Sequence, residues 1–84
     1  MKRYPRVYDD GGKSIDRYTL VMPSENEPSK LDMWGFNEIP YHPQGFGQYC
    51  GSYDKQRSYA HLGKLIPIDT LSEQARQFVK ERSE

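Results

Sequence analysis

Apolar positions fall early in this chain in short runs set between turn formers and take a helical period only near its end. Tyr4 to Tyr8 and Asp16 to Met22 are rich in Tyr, Val, Thr and Leu, and they flank Asp9-Asp10-Gly11-Gly12-Lys13-Ser14, a cluster of turn formers. Gly11 and Gly12 supply the positive backbone φ that a tight connection needs, so the spacing predicts a β-hairpin. Pro23 to Lys30 is polar, includes Pro23 and Pro28 and has no period, which predicts an exposed loop. Leu31 to Asn37 alternates weakly and reads as a third strand leading into the segment 41–49. Gly51 to Tyr59 is polar and predicts a mobile connection.

In the last third, Leu65-Ile66-Pro67-Ile68 reads as a short extended piece, and Thr70-Leu71-Ser72-Glu73 matches a capping box. Leu71, Ala75, Phe78 and Val79 fall at i, i+4, i+7 and i+8, with Lys80 and Arg82 where they complement the helix dipole. The pattern predicts a helix over 70–81 that packs this stripe on the sheet. The expected fold is a single α+β domain over residues 1–84, a small antiparallel β-sheet of three or four strands packed against one C-terminal α-helix. The His42 loop and the His61 turn are expected at one end of the sheet.

Composition sharpens the picture. At 84 residues, the chain buries only a little over ~60% of its unfolded surface, so its core is thin. Much of its apolar mass lies in seven Tyr, one Trp and three Met, and the large rings bury well only if their polar tips find a partner or water. Such a surface is expected to complete itself as a homo-oligomer. Twelve basic residues balance twelve acidic ones, which argues against an electrostatic grip on duplex DNA or an anionic membrane. No apolar run has the length of a membrane span or a signal-peptide core, and Cys50 is the single cysteine, so a reducing, cytoplasmic location is expected.

The densest candidate chemistry lies between Tyr41 and Tyr49, where His42, Gln44, Gly45, Phe46 and Gln48 combine hydrogen-bonding groups, backbone freedom and aromatic faces. The alternative is a rigid corner, since Pro43 restricts His42 to extended backbone. In the second strand, alternation puts Arg17 beside Thr19 and Asp16 beside Tyr18. The Arg17 fork suits a phosphate or carboxylate, or else pairs with Asp9 or Asp32. His61-Leu62-Gly63-Lys64 offers backbone N–H groups and a cation, a minimal anion cradle, or simply a turn. His42, His61 and Cys50 lack ligand spacing and an orienting acid, so no metal, cofactor or covalent catalysis is expected. Gly11-Gly12-Lys13-Ser14 imitates the end of a phosphate-binding loop, but without the first glycine or a following helix it reads as a turn.

Three segments, Val7 to Thr19 with its Asp16-Arg17-Tyr18-Thr19, Tyr41-His42-Pro43-Gln44-Gly45-Phe46, and His61-Leu62-Gly63-Lys64 followed by Ile66-Pro67 and Asp69, together resemble a widespread group of small uncharacterised proteins. That group is encoded by bacteriophages, plasmids and metagenomic contigs, and the resemblance spans most of the chain. Its histidine is usually preceded by a Ser-Glu-Asn-Pro-like stretch, where this chain has Asn37-Glu38-Ile39-Pro40. The resemblance implies a mobile-element origin and, within a host, a cytoplasmic setting.

The expected function is non-catalytic binding of a small phosphorylated or nucleotide-type ligand. Aromatic faces such as Tyr18, Trp34 and Phe46 would meet its base, and Arg17, His42, Gln44, Gly45, Gln48, His61, Gly63 and Lys64 its polar groups. By analogy with phage proteins that sequester signalling nucleotides, such binding would counter host defence. A protein-interaction module or inhibitor of a host protein is the alternative, with Tyr, Trp and Arg as anchors. A single-stranded nucleic-acid accessory role comes third, supported by the aromatics and opposed by the neutral charge.

Overall fold

The structure is a computed structural model and describes residues 3–84. Five strands, β1 (Arg6–Asp9), β2 (Tyr18–Pro23), β3 (Lys30–Phe36), β4 (Gly47–Asp54) and β5 (Lys64–Ile66), precede one helix, α1 (Glu73–Ser83). The strands form one antiparallel sheet in the order β4-β3-β2-β1-β5, so the chain meanders from β1 to β4 and then crosses to the opposite edge. The α+β expectation holds, with β4 and β5 completing the sheet.

Strand alternation sets the two faces. Val7, Tyr18, Leu20, Met22 and Phe36 point to the helix and join Leu71, Ala75, Phe78 and Val79 in the core. Each large side chain buried there contributes about 1.5–3 kcal/mol of transfer free energy. The intervening Val21 and Met33 belong to the other face and are also buried, although no helix covers them. Their cover is the segment 55–63. It leaves the Asp54 end of β4 and rejoins the sheet at Lys64, beside Asp9 on the far edge, so it crosses the helix-free face diagonally as a strap.

Several boundaries correct the sequence reading. Gly47 to Asp54 is a strand where a loop and a mobile connection were expected, because an edge strand exposed on most of its length needs no apolar alternation. A bulge at Cys50, where Trp34 pairs with Tyr49 and Met33 with Gly51, reverses the side-chain alternation midway along β4. Asp16 lies in the turn before β2 rather than in the strand. Its carboxylate therefore lies over Gly35, the partner of Thr19, while the Arg17 guanidinium sits 5.2 Å from the Tyr18 ring centroid, the reverse of the expected pairing.

The helix starts later than the capping box implies. Thr70 ends a single 3₁₀ turn, its hydroxyl donating to the Pro67 carbonyl at 2.7 Å, and Leu71 and Ser72 remain extended. Ser72 is the cap: its Oγ accepts from the Ala75 N–H at 3.2 Å and donates to the Glu38 carbonyl at 2.7 Å. At the other end the Arg3 N–H donates to the Ser83 carbonyl at 2.8 Å, and the Arg3 guanidinium bridges the Arg82 carbonyl at 3.0 Å and Asp32 at 2.9 Å. One arginine thus satisfies helix carbonyls and ties α1 to β3.

Candidate functional site

The His42 loop and the His61 turn do sit at one end of the sheet, but on opposite faces. The loop 37–46 belongs to the helix side, where the Tyr41 ring lies 6.1 Å from that of Phe78, its hydroxyl donates to Glu81 and Ser72 holds the Glu38 carbonyl. His61 belongs to the strap side. Among the described residues, His42, Gln44, Arg17 and Lys64 line none of the three main surface cavities.

Each expected site residue has a definite place. His42 is a corner residue: its N–H donates to the Ile39 carbonyl at 3.0 Å, its carbonyl accepts from Gly45 at 2.7 Å, and its Nδ1 accepts from the Gln44 N–H at 3.1 Å. A Cβ on Gly45 would overlap the Ile39 carbonyl oxygen, so glycine is required for this turn to close. Phe46 is half-buried, with its N–H bonded to the Asn37 side chain at 3.1 Å, and Gln48 is exposed on β4. Tyr18 is buried and donates to Glu38 at 3.0 Å; burial first, and then this carboxylate neighbour, push its phenol pKa up. Trp34 is half-buried on the helix side between the Arg3 guanidinium, 5.4 Å from its centroid, and the Tyr49 ring at 5.1 Å. Gly63 donates its N–H to the Ala60 carbonyl at 3.4 Å, and Lys64 is exposed opposite Asp9.

Arg17 makes a two-pronged pair with Asp9, Nε to Oδ1 at 3.0 Å and Nη2 to Oδ2 at 3.1 Å, which occupies the fork that was a candidate for phosphate. Hydrogen bonding from Arg17, outweighing burial, holds the Asp9 carboxyl below its ordinary pKa. A carboxylate with a depressed folded-state pKa stabilises the fold at neutral pH, and that contribution is lost as pH falls through the folded value. Wild type is therefore expected to lose stability below about pH 4 more steeply than Arg17→Ala. Parallel acid limbs in thermal melts of the two proteins would show that the pair contributes nothing.

Two cavities lie on the helix-free face, one on each side of the strap, and Tyr59 and Leu62 line both. The larger, of about 620 Å³, lies toward the Arg6 and Pro23 end of the sheet. Arg6 and Lys55 bring two cations to it, and Tyr4, Tyr8 and Tyr59 bring three aromatic rings. Val21, Leu31 and Leu62 add apolar surface, and among the described residues no acidic side chain lines it. The smaller, of about 250 Å³, has Asp10, Ser14 and Asp16 from the first hairpin turn on one wall and Arg57, Tyr59 and His61 from the strap on the other. Met33 and Cys50 are among its remaining lining residues; Cys50 is exposed as a residue, and partial desolvation of its sulfur is the main influence that pushes the thiol pKa up.

Of the eleven expected site residues, His61 alone lines either cavity. Arg6 and Tyr8 carried a legible signal, since they flank Val7 at strand spacing and must share the face opposite the core. Lys55 and Tyr59 carried none, because they reach the cavity through the strap's diagonal course. No family model, curated protein or solved structure matches the chain. Among the described residues no helix is long and apolar enough to cross a membrane, and no group of three or more metal-ligating side chains occurs.

Proposed function

We propose that the protein binds, without chemically changing it, a small phosphorylated ligand of nucleotide type in the larger strap cavity. The observation that carries this reading is the lining itself: two cations and three tyrosines with no carboxylate among them. Arg6 and Lys55 supply donors for phosphate oxygens, and the tyrosine rings supply faces for a base.

Calorimetry with mono-, di- and cyclic nucleotides tests the reading. Arg6→Ala and Lys55→Ala are each expected to weaken binding by about 10–100-fold, the usual consequence of losing a hydrogen bond to a charged group. Both side chains are exposed, so the thermal midpoint should hold. Arg17→Ala and His42→Ala, outside the cavity, should leave binding intact. A panel without a binder, or an Arg6→Ala protein that binds as wild type does, would sink the proposal.

A second reading rests on β4. This edge strand carries no charged residue from Gly47 to Tyr53 and leaves one side of its backbone unpaired, a geometry that accepts an added strand from a partner protein. Failure of the nucleotide panel would move weight to this edge.

A further inference from the structure

We propose that the smaller strap cavity is a separate binding site for a free α-amino acid. Its walls carry opposite charges, Asp10 and Asp16 on the hairpin turn and Arg57 on the strap. Among the described residues none of these three has an oppositely charged side chain within 4.0 Å, although Arg3, Arg17 and Arg82 all do. A zwitterion supplies the missing partner to both walls at once, its ammonium to the carboxylates and its carboxylate to the guanidinium.

The two acids are not equivalent. Asp10 is largely engaged by its own turn: Oδ1 accepts the N–H groups of Gly12 and Lys13 at 2.8 and 3.1 Å, and Oδ2 lies 2.6 Å from the Ser14 hydroxyl. The Ser14 oxygen also lies 2.6 Å from Asp16 Oδ1, yet one hydroxyl carries one proton and cannot donate to both. Asp16, which among the described residues accepts no backbone N–H, is the carboxylate with more capacity left for a ligand. Its position depends on Gly35, whose missing side chain is the space that Asp16 occupies. Opposite, the Arg57 guanidinium is held 5.2 Å from the Tyr53 ring centroid, which steadies it without consuming its charge.

Size and lining fit the same class. A volume of about 250 Å³ falls below the range of about 300–1,000 Å³ usual for drug-sized ligands, so the occupant is a small metabolite. Met33, Leu62 and the protonated Cys50 thiol give an apolar side chain a surface to lie on. The nucleotide reading concerns the neighbouring cavity and stands or falls independently.

Calorimetry on the full chain with L-leucine, N-acetyl-L-leucine, L-leucinamide and calcium chloride, followed by L-amino acids with polar and charged side chains, tests the assignment. A free amino acid should bind, and blocking either end of that ligand should weaken it about tenfold or more, because each block removes one charged contact. Asp16→Asn, which keeps the shape over Gly35, and Arg57→Gln, at an exposed position, should each produce a similar loss, whereas Arg6→Ala should not. Should Asp16→Asn melt early, Arg57→Gln still decides the matter. Equal binding of amide and acid, binding of calcium alone, loss on Arg6→Ala, or no binding by any amino acid would overturn the proposal.

Discussion

Phe78→Ala is expected to lower the free energy of unfolding by about 3–5 kcal/mol. The ring is 1% exposed and stacks on Phe36 with centroids 4.9 Å apart and planes at 24°. Gly47 leaves room for it on the β4 side: a Cβ there would come within 2.6 Å of the Phe78 ring. On the helix itself, the Arg82 guanidinium lies 3.6 Å from its centroid, so the ring is enclosed from sheet, loop and helix together. Removing it deletes the apolar area and leaves a cavity whose walls belong to three elements and cannot close by a single shift. The 11 residues of α1 are too few to be stable alone, so their docking through this ring governs whether the helix persists. Chemical denaturation measures the effect. A loss under about 1 kcal/mol would show that the helix is not docked through Phe78.

The parts legible in the sequence were those set by local period. The stripe of Leu71, Ala75, Phe78 and Val79 reached the core as spacing predicted, although Leu71 does so from outside the helix. The first hairpin and β3 were likewise readable, because their apolar and aromatic residues stand between turn formers, even though β2 is buried on both faces at Leu20, Val21 and Met22. The edge strand β4 was not, since Gln48, Tyr49 and Cys50 are all exposed and a bulge breaks their alternation. Helix capping failed on a near tie: Thr70 and Ser72 are both good caps, and the 3₁₀ turn closed by Pro67 takes the threonine.

The candidate site shows a different limit. Sequence reasoning rewards residues of suggestive type that lie close together in the chain, which selected Tyr41 to Tyr49. In the structure those residues form a corner in which His42 Nδ1 accepts from the Gln44 N–H and its carbonyl from Gly45, while the His42 side chain stays exposed. The larger cavity instead assembles Tyr4, Arg6 and Tyr8 from the start of the chain with Lys55 and Tyr59 from the strap. That juxtaposition follows from β5 pairing on the far side of β1, a non-local event that no window of sequence contains.

Because the strap forms one wall of each cavity, its anchor is the position where one methyl group should do most damage to function. Gly63→Ala is expected to cost about 3 kcal/mol or more and to abolish binding in both cavities. Gly63 has φ +96° and ψ −145°, a conformation that costs an L residue of order 1–3 kcal/mol. A Cβ there would also overlap the Asp9 carbonyl oxygen and come within 2.7 Å of its carbon, and these are backbone atoms of β1 that cannot swing aside. Relief requires β5 to move off β1, which carries His61, Leu62 and Tyr59 away from the sheet. Gly11→Ala is the matched control: φ is +77° but nothing lies within 4 Å of the added carbon, so only the conformational cost of about 1–2 kcal/mol should appear, with both sites intact. Denaturation and ligand titration of the two variants side by side separate backbone preference from collision. If Gly63→Ala is no less stable than Gly11→Ala, the strap is not clamped against Asp9 and the cavities it frames lose their fixed wall.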